Sequence, residues 1–86
     1  MGALPVFSSR RFIRAAKKCG FVIVSGGKGS HTKLYHEESK MMLTIPNADP
    51  ISVGLRHQLL KDVESIGIEK EQFIKLLTIG LLFLGK

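Results

Sequence analysis

The sequence predicts a small α+β domain, in which a three-stranded antiparallel sheet carries helices on one face. Two observations predict this class. The chain has 86 residues, 44% of them hydrophobic, enough for one domain with one core spanning residues 1–86. Its hydrophobic pattern changes from a helical period to strand-like runs and back, which gives the order α-β-β-β-α with an additional helix at the end.

The first helix is predicted from Ser8 or Ser9 to about Cys19. Either serine can cap the helix, and Gly20 supplies a left-handed exit. One face of this helix is apolar and consists of Phe12, Ile13, Ala16 and Cys19. The opposite face is basic and consists of Arg10, Arg14, Lys17 and Lys18, so the helix is amphipathic.

Three short segments with strand-like sequence patterns, joined by short connections, predict an antiparallel meander. The strands are expected at residues 21–25, 31–37 and 41–45, with turns at 26–30 and 38–40 and a proline-containing loop at 46–52. Helices on one face of such a sheet leave the other face open to a ligand.

A second helix is predicted at 53–65 and a third from about Glu69. Their expected inward-facing residues are Leu55, Leu59, Leu60 and Val63 in the second helix, and Phe73, Ile74, Leu76 and Leu77 in the third. The apolar extension at about 78–86 is too short to span a bilayer, so no membrane association is expected. It is equally consistent with a packed helix end and with a partner surface.

The charge distribution narrows the classes of function. The formal charge is +6, and no acidic residue precedes Glu37. The basic first half of the chain favours a polyanionic partner, and nucleic acid is the first candidate. The alternative is a basic face that is only solvated and binds nothing, because it would have the same composition. The single Cys19 excludes an internal disulfide, and the chain start lacks a signal-peptide pattern, so we expect a cytoplasmic protein.

His31 is the residue best placed for chemistry. Side chains alternate along a strand, so His31, Lys33, Tyr35 and Glu37 should share the open face, opposite Leu34. A histidine can take and give a proton near neutral pH, and Lys28 and Lys33 beside it could hold a phosphodiester. The alternative is a solvated surface histidine in a hairpin.

The other chemical possibilities are weaker. His36 should face the core side as a structural group, and His57 should lie on the helix surface. The histidines and Cys19 lack metal-ligand spacing, and no acidic pair suggests a two-metal nuclease. The turn at 26–30 lacks Walker spacing and leads into a strand, so nucleotide binding is not expected.

The order of several short motifs is specific. A basic helix ends in Cys19-Gly20-Phe21, a strand follows, and then come Gly29-Ser30-His31, Leu43-Thr44-Ile45-Pro46 and a leucine-rich helix. From about Leu4 to Leu77 this arrangement resembles the HicA (YcfA-like) toxin family. The resemblance implies a fold like the double-stranded-RNA-binding domain and the function of a messenger-RNA interferase in a type II toxin–antitoxin system.

The resemblance also implies roles for individual residues. His31 matches the family's catalytic histidine, Gly29 and Ser30 shape the turn that presents it, and Lys28 matches a position that is often basic. The implied reaction is cleavage of mRNA by its own ribose 2′-hydroxyl, with no cofactor and no metal. The implied partners are RNA and a HicB-like antitoxin that covers the active face, and the apolar tail could support a homodimer.

Further RNA contacts are expected from Lys33 and Tyr35, and from Arg10, Arg14 and Lys17 on the basic helix. Lys33 or Tyr35 is also a candidate second proton-transfer group. Relatives commonly carry another histidine in the loop where this chain has Ala48. That departure favours the alternative of a non-catalytic RNA-binding or regulatory module. A third possibility is a subunit whose basic face docks an acidic protein.

Overall fold

The computed structural model describes residues 5–26 and 31–84. Its elements are α1 (Ser9–Lys18), β1 (Phe21–Ser25), β2 (His31–His36), β3 (Met41–Pro46), α2 (Val53–Ser65) and α3 (Lys70–Leu84). The three strands form one antiparallel sheet in the order β1-β2-β3. This is the predicted α+β class, and it is consistent with the expected fold like that of the double-stranded-RNA-binding domain.

Helix α1 begins and ends where its sequence predicts. The Ser8 Oγ atom accepts a hydrogen bond from the Arg11 backbone N–H at 3.2 Å, which satisfies one of the unpaired donors of the first turn. Gly20 follows the helix with a φ of +100°, a conformation that a side chain would strain. The chain therefore turns directly from α1 into β1.

Strands β2 and β3 alternate between a buried and an open face, as predicted for β2, whereas in β1 only Phe21 is buried. Leu34 of β2 pairs with Leu43 of β3, and both are buried, as is Ile45 opposite Thr32. The strand ends differ from the expected ones by one residue each, since β2 stops at His36 and β3 includes Pro46. The register of β1 shifts between Ile23 and Ser25, a bulge that the sequence did not indicate.

The core lies between this buried sheet face and the helices. Helix α1 contacts β1, β3 and α3, and α3 also contacts α2. The fully buried Phe12 ring lies between Phe7 and Phe73, with ring centroids 5.8 and 5.2 Å away. These aromatic contacts join the segment before α1 to α3.

Helix α2 buries one residue that the sequence reading did not select. Leu59, Leu60 and Val63 face the core as predicted, but Leu55 is only partly buried and Arg56 is buried instead. The helical spacing 56, 59, 60, 63 gives the reason, because i, i+3, i+4 and i+7 share one helix face. The Arg56 guanidinium donates a hydrogen bond to the carbonyl of Ile51, in the loop before the helix.

The apolar tail predicted at the end of the chain continues helix α3 through Leu84. Residues 85–86 and the side chains of residues 79–84 lie outside what the structure describes, so the choice between a packed end and a partner surface stays a prediction. Among the helices that the structure describes, none has the length and apolarity needed to cross a bilayer.

Candidate nucleic-acid interface and catalytic histidine

The open face of the sheet is organised in three cross-strand rows. The first row contains His31 and Pro46, which are register partners at one end of the sheet. The second, which we call the polar row, contains Ser25, Lys33 and Thr44. The third, which we call the apolar row, contains Val22, Tyr35 and Met42.

His31 is exposed and is the first residue of β2. Alternation along β2 places it on the same face as Lys33 and Tyr35, while Leu34 and His36 are buried on the other. The structure therefore brings together three of the predicted site residues. Lys28, Gly29 and Ser30, also predicted for the site, lie outside the described residues.

Gly26 fixes the approach of the chain to His31. Its φ is +91°, and a Cβ atom added there would lie 2.3 Å from the backbone oxygen of His31 and 2.8 Å from Cα of Thr32. Only glycine permits so close a contact with the strand that begins at His31.

The open face carries positive charge and no negative charge along its strands. Lys33 is exposed and is the one lysine or arginine within β1, β2 and β3, and none of these strands contains Asp or Glu. The nearest carboxylates in sequence, Glu37 and Glu38, are exposed in the turn at the far end from His31. Glu37, expected on the open face of the strand, thus follows the end of β2.

The basic stripe of α1 lies on a different surface. Arg10, Arg14 and Lys17 are exposed, on the side of α1 opposite the buried Phe12 and Ala16. Because α1 packs on the covered side of the sheet, this stripe points away from the sheet and not toward the open face. The two basic features are therefore separate surfaces, which only the tertiary packing could reveal.

His36 has a structural role, as its position in the sequence indicated. Its Nδ1 atom accepts hydrogen bonds from the backbone N–H of Ser39 at 3.3 Å and from its hydroxyl at 2.8 Å. Since the backbone N–H can only donate, the ring proton is on Nε2, which donates to the Cys19 carbonyl oxygen at 3.2 Å. The ring also packs on Phe21, with centroids 4.9 Å apart.

The remaining titratable candidates from the sequence are Cys19 and His57. Burial raises the pKa of the Cys19 thiol, which disfavours the reactive thiolate. His57 is exposed on α2, as predicted. Across residues 5–26 and 31–84, no cluster of three or more His, Cys, Asp or Glu side chains could hold a metal ion.

Neither of the two clefts lined by residues of the described ranges 5–26 and 31–84 includes His31 in its lining. A cleft of about 530 Å³ lies between the end of α2 and the start of α3, away from His31. Its charged lining consists of Glu64, Glu69, Glu71 and Lys70, and three carboxylates against one ammonium disfavour a phosphate. An uncovered sheet face suits a polymer better than a small molecule.

Ala48 occupies the loop position where the family resemblance places another histidine. Its backbone N–H donates to the Ser9 Oγ atom at 3.2 Å, and its carbonyl accepts from the Ser9 backbone N–H at 2.9 Å. Ala48 is partly buried and packs against the core. These bonds attach the loop after β3 to the first turn of α1.

Sequence reasoning missed Ser25 and Thr44, the exposed hydroxyls on either side of Lys33. The hairpin register could have identified Thr44, because the turn length between β2 and β3 fixes which residues pair. The position of Ser25 beside Lys33 could not be predicted in this way, because the bulge in β1 shifts the strand pairing by one residue.

The fold and the site together define a class of protein: a small α+β domain with an exposed histidine beside a lysine on an uncovered sheet face. The family model described as "HicA toxin of bacterial toxin-antitoxin" matches residues 9–64, well over half of the chain. The chain therefore belongs to the HicA toxin family, and the family implies an antitoxin as its partner. No curated protein and no solved structure matches the chain.

Proposed function

We propose that this toxin is a metal-independent endoribonuclease that cleaves mRNA in the cytoplasm, with His31 as its catalytic residue. The observation that carries the proposal is the position of His31, exposed at the start of β2 on the uncovered, acid-free face of the sheet. Membership of a toxin family supplies the biological setting for such an activity.

The proposed reaction is transfer of the phosphodiester to the neighbouring ribose 2′-hydroxyl. A base removes the 2′-hydroxyl proton while the 2′-oxygen attacks phosphorus, and the bond to the 5′-oxygen breaks. That oxygen takes a proton as it leaves, so the products end in a 2′,3′-cyclic phosphate and a 5′-hydroxyl. His31 can perform either proton transfer, and the exposed Lys33 ammonium can stabilise charge on the phosphoryl oxygens.

Lys33 is the better placed of the two candidate helper residues. It is two residues from His31 on the same face, about 7 Å along the strand, whereas Tyr35 is about 13 Å away. Same-face side chains stand roughly parallel on a sheet, so Tyr35 is poorly placed to share one phosphate with His31. We therefore assign proton transfer to His31 and electrostatic stabilisation to Lys33.

The other predicted contacts remain part of the proposal. Lys28, Gly29 and Ser30, which precede β2 in the sequence, would bind the scissile phosphate. The α1 stripe of Arg10, Arg14 and Lys17 would attract RNA through long-range charge, because it lies on another surface. A HicB-like antitoxin would silence the toxin by covering the open face, and self-association through the C-terminal tail would give a homodimer.

A second candidate function is a non-catalytic RNA-binding or regulatory module. The observation that favours it is Ala48, which carries no proton-transfer group in the loop after β3. The two functions share RNA binding and differ only in cleavage.

The chemistry of the product ends tests the proposal. In EDTA, purified protein should cleave an RNA oligonucleotide, leaving cyclic phosphate and 5′-hydroxyl ends, and should leave the same sequence of 2′-deoxy nucleotides intact. Lys33→Ala should slow cleavage about 10- to 100-fold, with Lys33→Arg retaining more of the rate. RNA binding without cleavage would support the non-catalytic module, and 5′-phosphate ends would contradict the 2′-hydroxyl mechanism.

A further inference from the structure

The apolar row of the open face has no role in the reaction proposed above. Val22 is 52% exposed and Met42 is 51% exposed, and both are register partners of the partly buried Tyr35. Their side chains stand on the same face as His31. Exposed apolar groups in a contiguous row indicate a binding surface.

We propose that Tyr35, between Val22 and Met42, is a stacking platform for one unpaired base of the RNA whose backbone is cleaved at His31. This inference rests on the proposed function and adds to it a subsite for one base of the substrate. Single-stranded nucleic acids are bound by aromatic side chains that stack on exposed bases, combined with cations that follow the backbone. The open face of the sheet supplies the cation in the polar row and the aromatic side chain in the apolar row.

The order of the rows matches the chemistry of a nucleic-acid strand. Starting from His31, the polar row comes first and offers the Lys33 ammonium with hydroxyls of Ser25 and Thr44 on either side. These groups can donate hydrogen bonds to phosphate and ribose oxygens next to the scissile bond. The apolar row follows and offers the ring of Tyr35, between Val22 and Met42, to the flat face of a base.

The spacing limits which base reaches Tyr35. His31 and Tyr35 are about 13 Å apart along β2. That distance spans about four nucleotides of a stacked strand at about 3.4 Å each, and fewer when the strand is extended. The platform therefore serves a base about two to four nucleotides from the cleaved phosphate.

The charge pattern of the open face fits RNA as the occupant. No acidic side chain lies within the three strands, so phosphates meet no repulsion between His31 and Tyr35. Beyond Tyr35 the turn carries Glu37, Glu38 and Lys40, so the charge changes there from positive to mixed. A duplex would keep its bases stacked inside and could not use the apolar row.

Binding to a non-cleaving protein tests the platform. The parent is His31→Ala, and the probe is a short fluorescent oligouridine that is 2′-O-methylated throughout and carries one abasic nucleotide at successive positions. We expect one abasic position to weaken binding about 5- to 100-fold, and Tyr35→Leu to weaken binding of the intact probe equally and to abolish the abasic effect. Tyr35→Phe keeps the ring and should stay within about threefold of the parent.

Val53→Ala is the matched control, because Val53 is an exposed apolar residue on α2, outside the sheet. It should bind the probe like the parent, and circular dichroism should show that all variants are folded. Unchanged affinity in Tyr35→Leu, or equal losses in Tyr35→Phe and Tyr35→Leu, would overturn the platform. Unchanged RNA affinity with lost antitoxin binding would assign the row to a protein partner instead.

The test separates the platform from the nuclease. A wild-type protein that fails to cleave RNA, while its His31→Ala variant shows the Tyr35-dependent abasic effect, would leave the platform standing and remove the nuclease. Cleavage that depends on His31, with binding insensitive to Tyr35→Leu, would remove the platform alone.

Discussion

His36 should stabilise the fold far more than its size suggests, because its ring joins three separate segments. It bonds the carbonyl of Cys19 after α1, both donors of Ser39 in the β2–β3 turn, and packs on Phe21 of β1. Replacing it with alanine removes three hydrogen bonds and one aromatic contact together.

The size of the effect follows from these contacts. A hydrogen bond contributes about 0.5–1.5 kcal/mol net, and two of the three are long, at 3.2 and 3.3 Å, so they belong at the low end. The ring contact with Phe21 adds about 0.5–1.5 kcal/mol. We expect His36→Ala to lower the free energy of unfolding by about 2–4 kcal/mol. Small domains have only about 5–15 kcal/mol in total.

Urea unfolding followed by far-ultraviolet circular dichroism measures this change. Ser39→Ala should cost less, about 0.5–1.5 kcal/mol, because the Ser39 backbone N–H still bonds the ring. The exposed His57→Ala is the control and should stay within about 0.5 kcal/mol of wild type. If His36→Ala were as stable as His57→Ala, the ring would not join these segments and the reasoning would be refuted.

Three further outcomes are expected. Gly26→Ala should destabilise the protein and slow cleavage, because a Cβ there overlaps the backbone of His31; unfolding and rate assays check both. Gly54→Ala, where a Cβ meets open space in α2, should instead stabilise by about 0.5–1 kcal/mol, and a loss would contradict that geometry. Cys19 should react with iodoacetamide more slowly at neutral pH than a free cysteine, since burial raises its pKa; equal rates would argue against that burial.

Local rules explain why so much of the fold could be predicted from the sequence. The Ser8 cap and the Gly20 exit act within one turn of the chain, so they mark the ends of α1 without any tertiary information. Alternation about Leu34 likewise placed His31 on the open face and His36 on the buried one.

What could not be predicted depends on contacts between distant segments. Arg56 takes a core position because its guanidinium reaches the Ile51 carbonyl, a bond that a hydrophobicity pattern does not contain. The loop at Ala48 is set by its bonds to Ser9, residues 39 positions apart in the chain. The separation of the α1 stripe from the open face also follows from packing. In the sequence, the basic residues of both surfaces lie in the same basic first half of the chain and cannot be told apart.

The most direct test of the central claim is RNA cleavage in EDTA by three purified proteins: wild type, His31→Ala and His57→Ala. Each is first shown to be folded by circular dichroism, so that activity reports chemistry and not stability. We expect wild type and His57→Ala to cut the RNA at similar rates, and His31→Ala not to cut it. Equal cleavage by His31→Ala and wild type would contradict this expectation, because the activity would then not depend on His31.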